Sequence, residues 1–184
     1  MLYGFKALRL PPYSSLKSYE GGGNYAIGKY YRFPYRFFYR HKLRMILSLM
    51  EKDKIYHNIL DYGAGPGIFT PALKKHALFV KNFNHGDVLD PRWRFDAIVC
   101  CSVLEFTELG FTLATIKRLL NPGGKLYVAS PMDSWLGEAY FTSIGDRHRR
   151  HSHKKILSEV SKQFRLEKYH TWMNLYFALR ASVL

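Results

Sequence analysis

The sequence of 184 residues has few cysteines, few acidic residues and no long apolar run. Its two cysteines, Cys100 and Cys101, are neighbours in an apolar segment, and adjacent strand residues point to opposite faces, which makes them poor disulfide partners. No segment approaches the roughly 18 apolar residues of a membrane span. The first residues, MLYGFKALRLPPYSS, lack the apolar stretch of a signal peptide. We therefore expect a protein of the reducing cytoplasm.

Acidic residues are outnumbered, since 14 Asp and Glu face 28 Lys and Arg, for a formal net charge of +14. Residues 1–58 carry +8, residues 59–145 are neutral and residues 146–184 carry +6. Two basic segments therefore flank a neutral centre. Such a distribution attracts anionic partners, such as nucleic acid, an anionic membrane surface or a phosphorylated small molecule. A basic surface that is merely solvated explains the charge equally well, because charge alone defines no site.

The apolar pattern predicts strands alternating with helices in one globular domain. This alternation is typical of an α/β fold with a doubly wound, mostly parallel sheet, and the last two strands are expected to form a hairpin that adds a C-terminal antiparallel strand. We expect this domain at residues 40–184, preceded at residues 1–39 by an N-terminal arm and an aromatic, basic cap. The predicted strands are 59–62, 78–83, 96–102, 125–130, 165–170 and 176–183, and the predicted helices are 40–51, 68–76, 111–120 and 154–164.

The segment ILDYGAGPGIF, residues 59–69, places an aspartate and three alternate glycines directly after a predicted strand. In a doubly wound sheet the first strand–turn–helix connection lies where ligands bind. Glycines allow the backbone to approach a ligand and to adopt positive φ, and the following helix offers unpaired N–H groups. A tight turn with a purely structural role would also explain three glycines.

Further segments follow in order: G-D-V, then D-A-I-V-C-C-S-V-L-E-F, then L-L-N-P-G-G-K-L-Y-V-A-S-P, and finally G-D-R-H-R-R-H-S-H-K-K-I-L. Together with the glycine turn, they make residues 40–184 resemble the class I S-adenosylmethionine-dependent methyltransferases, and within them the small type 11 and type 12 group. The resemblance implies a Rossmann-like fold, S-adenosylmethionine as the cofactor and methyl transfer as the activity.

The resemblance also implies which residues bind the cofactor. The glycine turn would pass beneath the methionine and ribose, and the preceding aspartate would order it. Asp87 would accept a hydrogen bond from the adenine amine, and Ser102 would lie near the methionine end. Both aspartates could instead cap ordinary turns. The implied cofactor-binding residues are Asp61, Gly63, Gly65, Gly67, Asn84, Asp87, Val88 and Ser102.

The chain departs from the family pattern after the glycine turn. Only residues 68–85 separate that turn from the G-D segment, and a helix of about 11 residues and a strand of about 5 fill them. One strand–helix unit is therefore predicted to be missing, and residues 84–95 should cross to the next strand without a helix. Asn84 replaces the acidic residue that holds the ribose, so Asp87 is expected to take over that contact or the cofactor to bind less tightly. Trp93 is expected to cover part of the exposed adenine.

A methyl group on a sulfonium is already activated, so the protein must mainly align the acceptor and exclude water. A general base is needed only if the acceptor loses a proton, and His148 is predicted for that role because it matches a histidine common in the family. A solvated basic loop is the simpler explanation of His148. We expect no metal, because His148, His151 and His153 lack a fourth ligand. The predicted acceptor-binding residues are Tyr25, Tyr30, Tyr31 and His151.

Aromatic and basic residues are interleaved in the stretch 25–44. They could stack bases and bind phosphates, or form a lid over the cofactor with aromatics inward and arginines outward, which we favour.

The predicted function is methyl transfer to an anionic or surface-bound acceptor. The alternative is a non-catalytic nucleic-acid-binding or partner-binding module on a decayed methyltransferase scaffold. It is motivated by the missing unit, by Asn84 and by Phe106, which replaces a histidine of the family pattern.

Overall fold

The structure is a computed structural model, and it describes residues 8–19, 27–51, 53–143 and 151–184. A single sheet contains six strands: β1 Tyr56–Tyr62, β2 Ala77–Phe83, β3 Phe95–Cys101, β4 Leu120–Pro131, β5 Phe164–Trp172 and β6 Tyr176–Val183. The helices are α1 Tyr35–Leu49, α2 Thr70–Leu73, α3 Leu109–Leu119, α4 Trp135–Ser143 and α5 His153–Gln163. Short 3₁₀ helices cover Tyr13–Tyr19 and Ile27–Tyr30.

The strand order is β2-β1-β3-β4-β6-β5. The pairs β1–β2, β1–β3 and β3–β4 are parallel, whereas β6 pairs antiparallel with both β4 and β5. The predicted mostly parallel sheet with a C-terminal antiparallel strand is therefore confirmed, and so is the hairpin that closes the chain. All six predicted strands are present, most of them longer than expected.

The shortened region after the glycine turn is also confirmed. β2 pairs in parallel with β1, with Tyr62 opposite Phe83, and it forms the edge of the sheet. Residues 84–94, all of them described, cross from β2 to β3 through turns and without a helix or strand. Gly86 takes φ +93° there, and Pro91 has no backbone donor, which together disfavour a helix.

The helices differ from the prediction in three places. The helix expected at 68–76 is reduced to the four residues of α2, with Pro71 in its first turn, because the chain enters β2 at Ala77. Helix α4 was not predicted at all. Helix α1 begins at Tyr35, before the predicted start at residue 40, while the division into an arm and a domain at residue 39 stays a prediction.

The sheet is covered on both faces. On one face α1 buries Leu43, Ile46 and Leu49, which recur every three residues on one side of the helix. On the other face α3 and α5 bury Leu113, Ile116, Ile156 and Val160, and each fully buried side chain of this size contributes about 1.5–3 kcal/mol. Among the described helices, none is both long and apolar enough to pass through a lipid bilayer.

Candidate functional site

The glycine turn lies directly after β1 and has the backbone that its sequence predicts. Gly63, Gly65 and Gly67 have φ values of +77°, +56° and +77°, a region that other residues rarely adopt. A Cβ at Gly63 would collide with the side chain of Val103, which follows β3. The turn therefore runs close to the neighbouring loop, and a side chain at Gly63 would not fit there.

The end of β2 is fastened to this turn. The side chain of Asn84 accepts a hydrogen bond from the Gly65 amide at 2.6 Å and donates one to the Gly65 carbonyl at 3.1 Å. The Phe83 carbonyl accepts from Gly63 N at 2.7 Å. Asp87 in turn accepts from the Asn84 amide at 2.7 Å, so its carboxylate caps the turn after β2. The predicted residue Asn84 thus contacts the glycine turn directly, Asp87 reaches it only through Asn84, and the side chain of Val88 is exposed.

Asp61 lies within β1, two residues before the glycines, and is almost completely buried. Its Oδ2 atom is buried and accepts no hydrogen bond in the part of the chain that the structure describes. Burial raises the pKa of Asp61 to about 7. A carboxyl oxygen without a donor is costly in such a place, by about 1–3 kcal/mol, and a ligand that supplies a donor would offset this cost.

Lys42 is a site residue that the sequence analysis missed. It projects from α1, has a side chain that is 4% exposed, and donates from Nζ to Ser102 Oγ at 2.8 Å. Its ammonium lies over the rings of Tyr39 at 4.8 Å, Tyr30 at 5.4 Å and Tyr176 at 5.9 Å. The sequence signal was a lysine inside the apolar stripe of α1, between Tyr39 and Ile46, since such positions normally carry apolar side chains.

The two buried ionisable groups belong to one site at the carboxyl ends of β1 and β3. Burial raises the pKa of Tyr30, the Lys42 charge lowers it, and the Asp61 charge raises it, so this phenol senses both groups. Ser102, which follows β3, takes φ +57°, unusual for a residue other than glycine, and holds its hydroxyl against Lys42. The site thus combines a buried cation, a buried carboxyl group and the glycine turn.

The predicted acceptor residues are not gathered in one place. Tyr31 donates from its hydroxyl to the Pro11 carbonyl at 2.7 Å, and His151 Nε2 bonds the Thr107 carbonyl at 2.8 Å. Both side chains therefore bond backbone oxygens: Tyr31 bonds a carbonyl of the arm, and His151 bonds a carbonyl of the loop after β3. Of the described acceptor residues, Tyr30 is the one that lies against Lys42. Tyr25 and His148 lie outside the described residues.

A second pair that the sequence analysis missed lies just beyond the end of β4. Asp133 bonds the His153 ring through Nδ1, and it also accepts from the His153 amide at 2.6 Å. Burial raises the pKa of Asp133, but the hydrogen bonds from the His153 backbone and ring outweigh it and leave the pKa lowered. The carboxylate orients the imidazole, as in many sites where a histidine accepts a proton.

The orientation predicted for the aromatic stretch is wrong for residues 33–37. The exposed side chains include Phe33, Tyr35 and Phe37, while the basic Lys42 points inward. The buried stripe that includes Tyr39 sets the rotation of α1, and Phe37 lies two residues away, about 200° around the helix. The first turn of α1 therefore presents aromatics outward rather than forming a simple apolar lid.

The chain resembles known proteins both in sequence and in fold. The family described as methyltransferase domain matches residues 35–174. The N-methyltransferase NodS from Bradyrhizobium japonicum, solved with S-adenosyl-L-homocysteine, is 18% identical over 93% of this chain and 97% of that chain, with a TM-score of 0.64. An S-adenosylmethionine-dependent methyltransferase from Thermotoga maritima is 18% identical over 80% and 89%, with a TM-score of 0.60. No curated protein matches the sequence significantly. At these identities the structures demonstrate a shared fold.

Proposed function

Because this chain belongs to the methyltransferase-domain family, we propose that Lys42, Asp61 and the glycine turn hold S-adenosylmethionine for methyl transfer to an anionic or surface-bound acceptor. Membership confirms the prediction of an S-adenosylmethionine-dependent methyltransferase with a Rossmann-like fold. The alternative, a non-catalytic nucleic-acid-binding or partner-binding module on a decayed methyltransferase scaffold, has no support from the comparisons.

The observation that carries the proposal is the pair of buried groups at the glycine turn. The amino-acid end of S-adenosylmethionine has one carboxylate and one ammonium group. Lys42 offers a buried ammonium for the carboxylate, and Asp61 offers a buried oxygen without a donor for the ammonium. Buried charges are expensive unless they are paired, so a zwitterion that pairs both would be bound strongly. The residues present therefore fit the cofactor.

The contacts around the glycine turn indicate which residues would hold the other parts of the cofactor. Both polar groups of the Asn84 amide bond Gly65, so we assign Asn84 to shaping the turn rather than to gripping the ribose. Asp87 lies next to it and is the nearby carboxylate that could accept from the ribose or the adenine. Ser102 would keep the Lys42 ammonium pointed at the carboxylate.

When bound, the cofactor supplies a methyl group that is already activated by its sulfonium. The chain must then orient the acceptor, exclude water and, where the acceptor carries a proton, remove it. His153, held by Asp133, is the described histidine suited to accept that proton, and His148 remains a predicted base. The basic excess of the two flanking segments supports an anionic acceptor, and Tyr30 is the predicted acceptor residue that lies at the site.

Calorimetric titration with S-adenosylmethionine and S-adenosylhomocysteine tests the proposal. We expect micromolar binding of both, because the two share the amino-acid end that Lys42 and Asp61 would pair. Absence of cofactor binding, together with salt-sensitive binding of RNA or DNA, would instead favour the non-catalytic alternative.

A further inference from the structure

We propose that this protein docks on bilayers containing anionic lipid through an exposed ridge. This aromatic ridge consists of Phe33, Phe37, Trp135 and Met173 together with Arg32 and Arg36. The docking goes beyond the proposed function and does not depend on it, since a surface can bind lipid whether or not the cofactor site is active.

The ridge exposes large apolar side chains that a water-soluble surface normally hides. Phe33 is 79% exposed, Phe37 53%, Met173 57% and Trp135 82%. Single exposed apolar residues are common, but a contiguous group usually marks an interaction surface. Aromatic side chains at the level of the lipid headgroups are typical of proteins that rest on membranes.

Contacts within the structure join these residues, although they come from three separate segments. The Phe37 ring lies 5.9 Å from that of Trp172, which directly precedes Met173. The hydroxyl of Ser134 donates to the carbonyl of Asn174, so the residue before Trp135 is bonded to the residue after Met173. The start of α1, the β5–β6 turn and the start of α4 therefore form one continuous surface.

The charge around the ridge indicates which partner covers it. Residues 27–50 contain six Lys and Arg and no Asp or Glu. Arg32 and Arg36 alternate with the aromatics in the exposed sequence RFPYRF. Anionic lipid attracts each nearby basic residue by about 1 kcal/mol, and the aromatics could then insert between headgroups. Positive charge and apolar side chains thus point to the same partner.

Two other occupants fit less well. Bases of nucleic acid stack on rings within a groove, and a cavity of ≈ 410 Å³ in the described part of the chain lies away from the ridge, at the far edge of the sheet beside Phe79 and Trp93. A second copy of the chain would bring arginines against arginines on a protein with a net charge of +14, which is repulsive.

Docking would bring the cofactor site close to the lipid surface. Helix α1 carries Phe37 on its outer side and Lys42 on its inner side, so ridge and site are separated by the thickness of one helix. A surface-bound acceptor could then reach the site without leaving the membrane.

Sedimentation with vesicles tests the docking. We expect the wild-type protein to bind vesicles of phosphatidylcholine and phosphatidylglycerol but not vesicles of phosphatidylcholine alone. The double variant F33S/W135S should bind about tenfold or more weakly, since it removes two inserting side chains. F111S is the matched control, because Phe111 is 74% exposed on α3, away from the ridge, and it should bind like wild type. R32E/R36E should also lose binding.

The opposite results would overturn the inference. The proposal of docking fails if the wild-type protein does not bind anionic vesicles, or if F33S/W135S binds them as well as F111S does. It also fails if light scattering shows a dimer that F33S/W135S dissociates, or if the same substitutions abolish binding of a homopolymeric RNA instead. Thermal unfolding verifies that each variant is folded. S-adenosylhomocysteine titration of F33S/W135S should give wild-type affinity, which separates failure of docking from failure of the cofactor site.

Discussion

Replacing Lys42 by methionine tests the buried cation, because methionine keeps the length of the side chain and removes its charge. Without cofactor, the variant loses the hydrogen bond to Ser102, worth about 1.5–3 kcal/mol, and the interactions with the tyrosine rings, worth about 2 kcal/mol when desolvated. It also avoids the burial of an ammonium, which costs several kcal/mol. The losses and the gain are of similar size, so we expect K42M to change the melting temperature of the cofactor-free protein only slightly.

Cofactor binding, in contrast, should weaken strongly in K42M. If the Lys42 ammonium pairs with the carboxylate, its removal costs about 1.5–3 kcal/mol, or about 10- to 150-fold in affinity for S-adenosylhomocysteine. Calorimetry measures this directly, and the rise in melting temperature on adding S-adenosylhomocysteine should shrink in parallel. K168M is the matched control, because Lys168 is exposed on β5 and should leave both measurements unchanged.

A truncated ligand distinguishes direct pairing of Lys42 with the cofactor carboxylate from a role of Lys42 in shaping the pocket. Methylthioadenosine lacks the amino-acid end, so K42M and wild type should bind it equally. An equal loss of affinity for methylthioadenosine and S-adenosylhomocysteine would show that Lys42 shapes the pocket without pairing with the carboxylate. Wild-type affinity for S-adenosylhomocysteine in K42M would remove Lys42 from the cofactor site.

Burial raises the folded-state pKa of Asp61 from 3.8 to about 7, so the cofactor-free protein should lose stability as pH rises between these values, and D61N should flatten the dependence seen by urea unfolding at each pH. A slope unchanged in D61N would contradict this. G65V should abolish cofactor binding in a folded protein, because Gly65 has φ +56°, whereas G110A, in α3 at an ordinary φ and with room for a methyl group, should retain it by calorimetry. D87A should weaken S-adenosylmethionine and S-adenosylhomocysteine alike, about five- to 150-fold; intact affinity would place Asp87 elsewhere.

The fold was largely predictable because its signals are local. Short apolar runs ending in turn residues defined all six strands, and the 18 positions between the glycine turn and Gly86 were too few for a further strand and helix. Helix α2 was predicted too long because its apolar pattern continues through residues that the structure needs for the turn into β2. Helix α4 was missed because its apolar side chains form no clear stripe.

The site was predictable only where one segment contains it. The glycine turn carries its own signature, but Lys42 meets Ser102 across 60 positions of sequence, and only the packing of α1 on the sheet brings them together. The Asn84 clamp likewise depends on the register that sets Tyr62 opposite Phe83. The pairing of Asp133 with His153 joins the end of β4 to the first turn of α5. Such contacts follow from tertiary structure and leave no pattern in neighbouring residues.

The shortened sheet links ligand binding to the weakest part of the fold. β2 has a partner on one side only and leaves Leu78 and Phe79 largely exposed, so it should open locally more often than the central strands. Its end also holds the glycine turn through Asn84, so each opening would release the turn. A ligand that needs the ordered turn must then suppress these openings, and hydrogen exchange of the β2 amides should slow when cofactor binds. Affinity would thus be reduced by the fraction of time that β2 spends open, without any change in the contacts of the closed site.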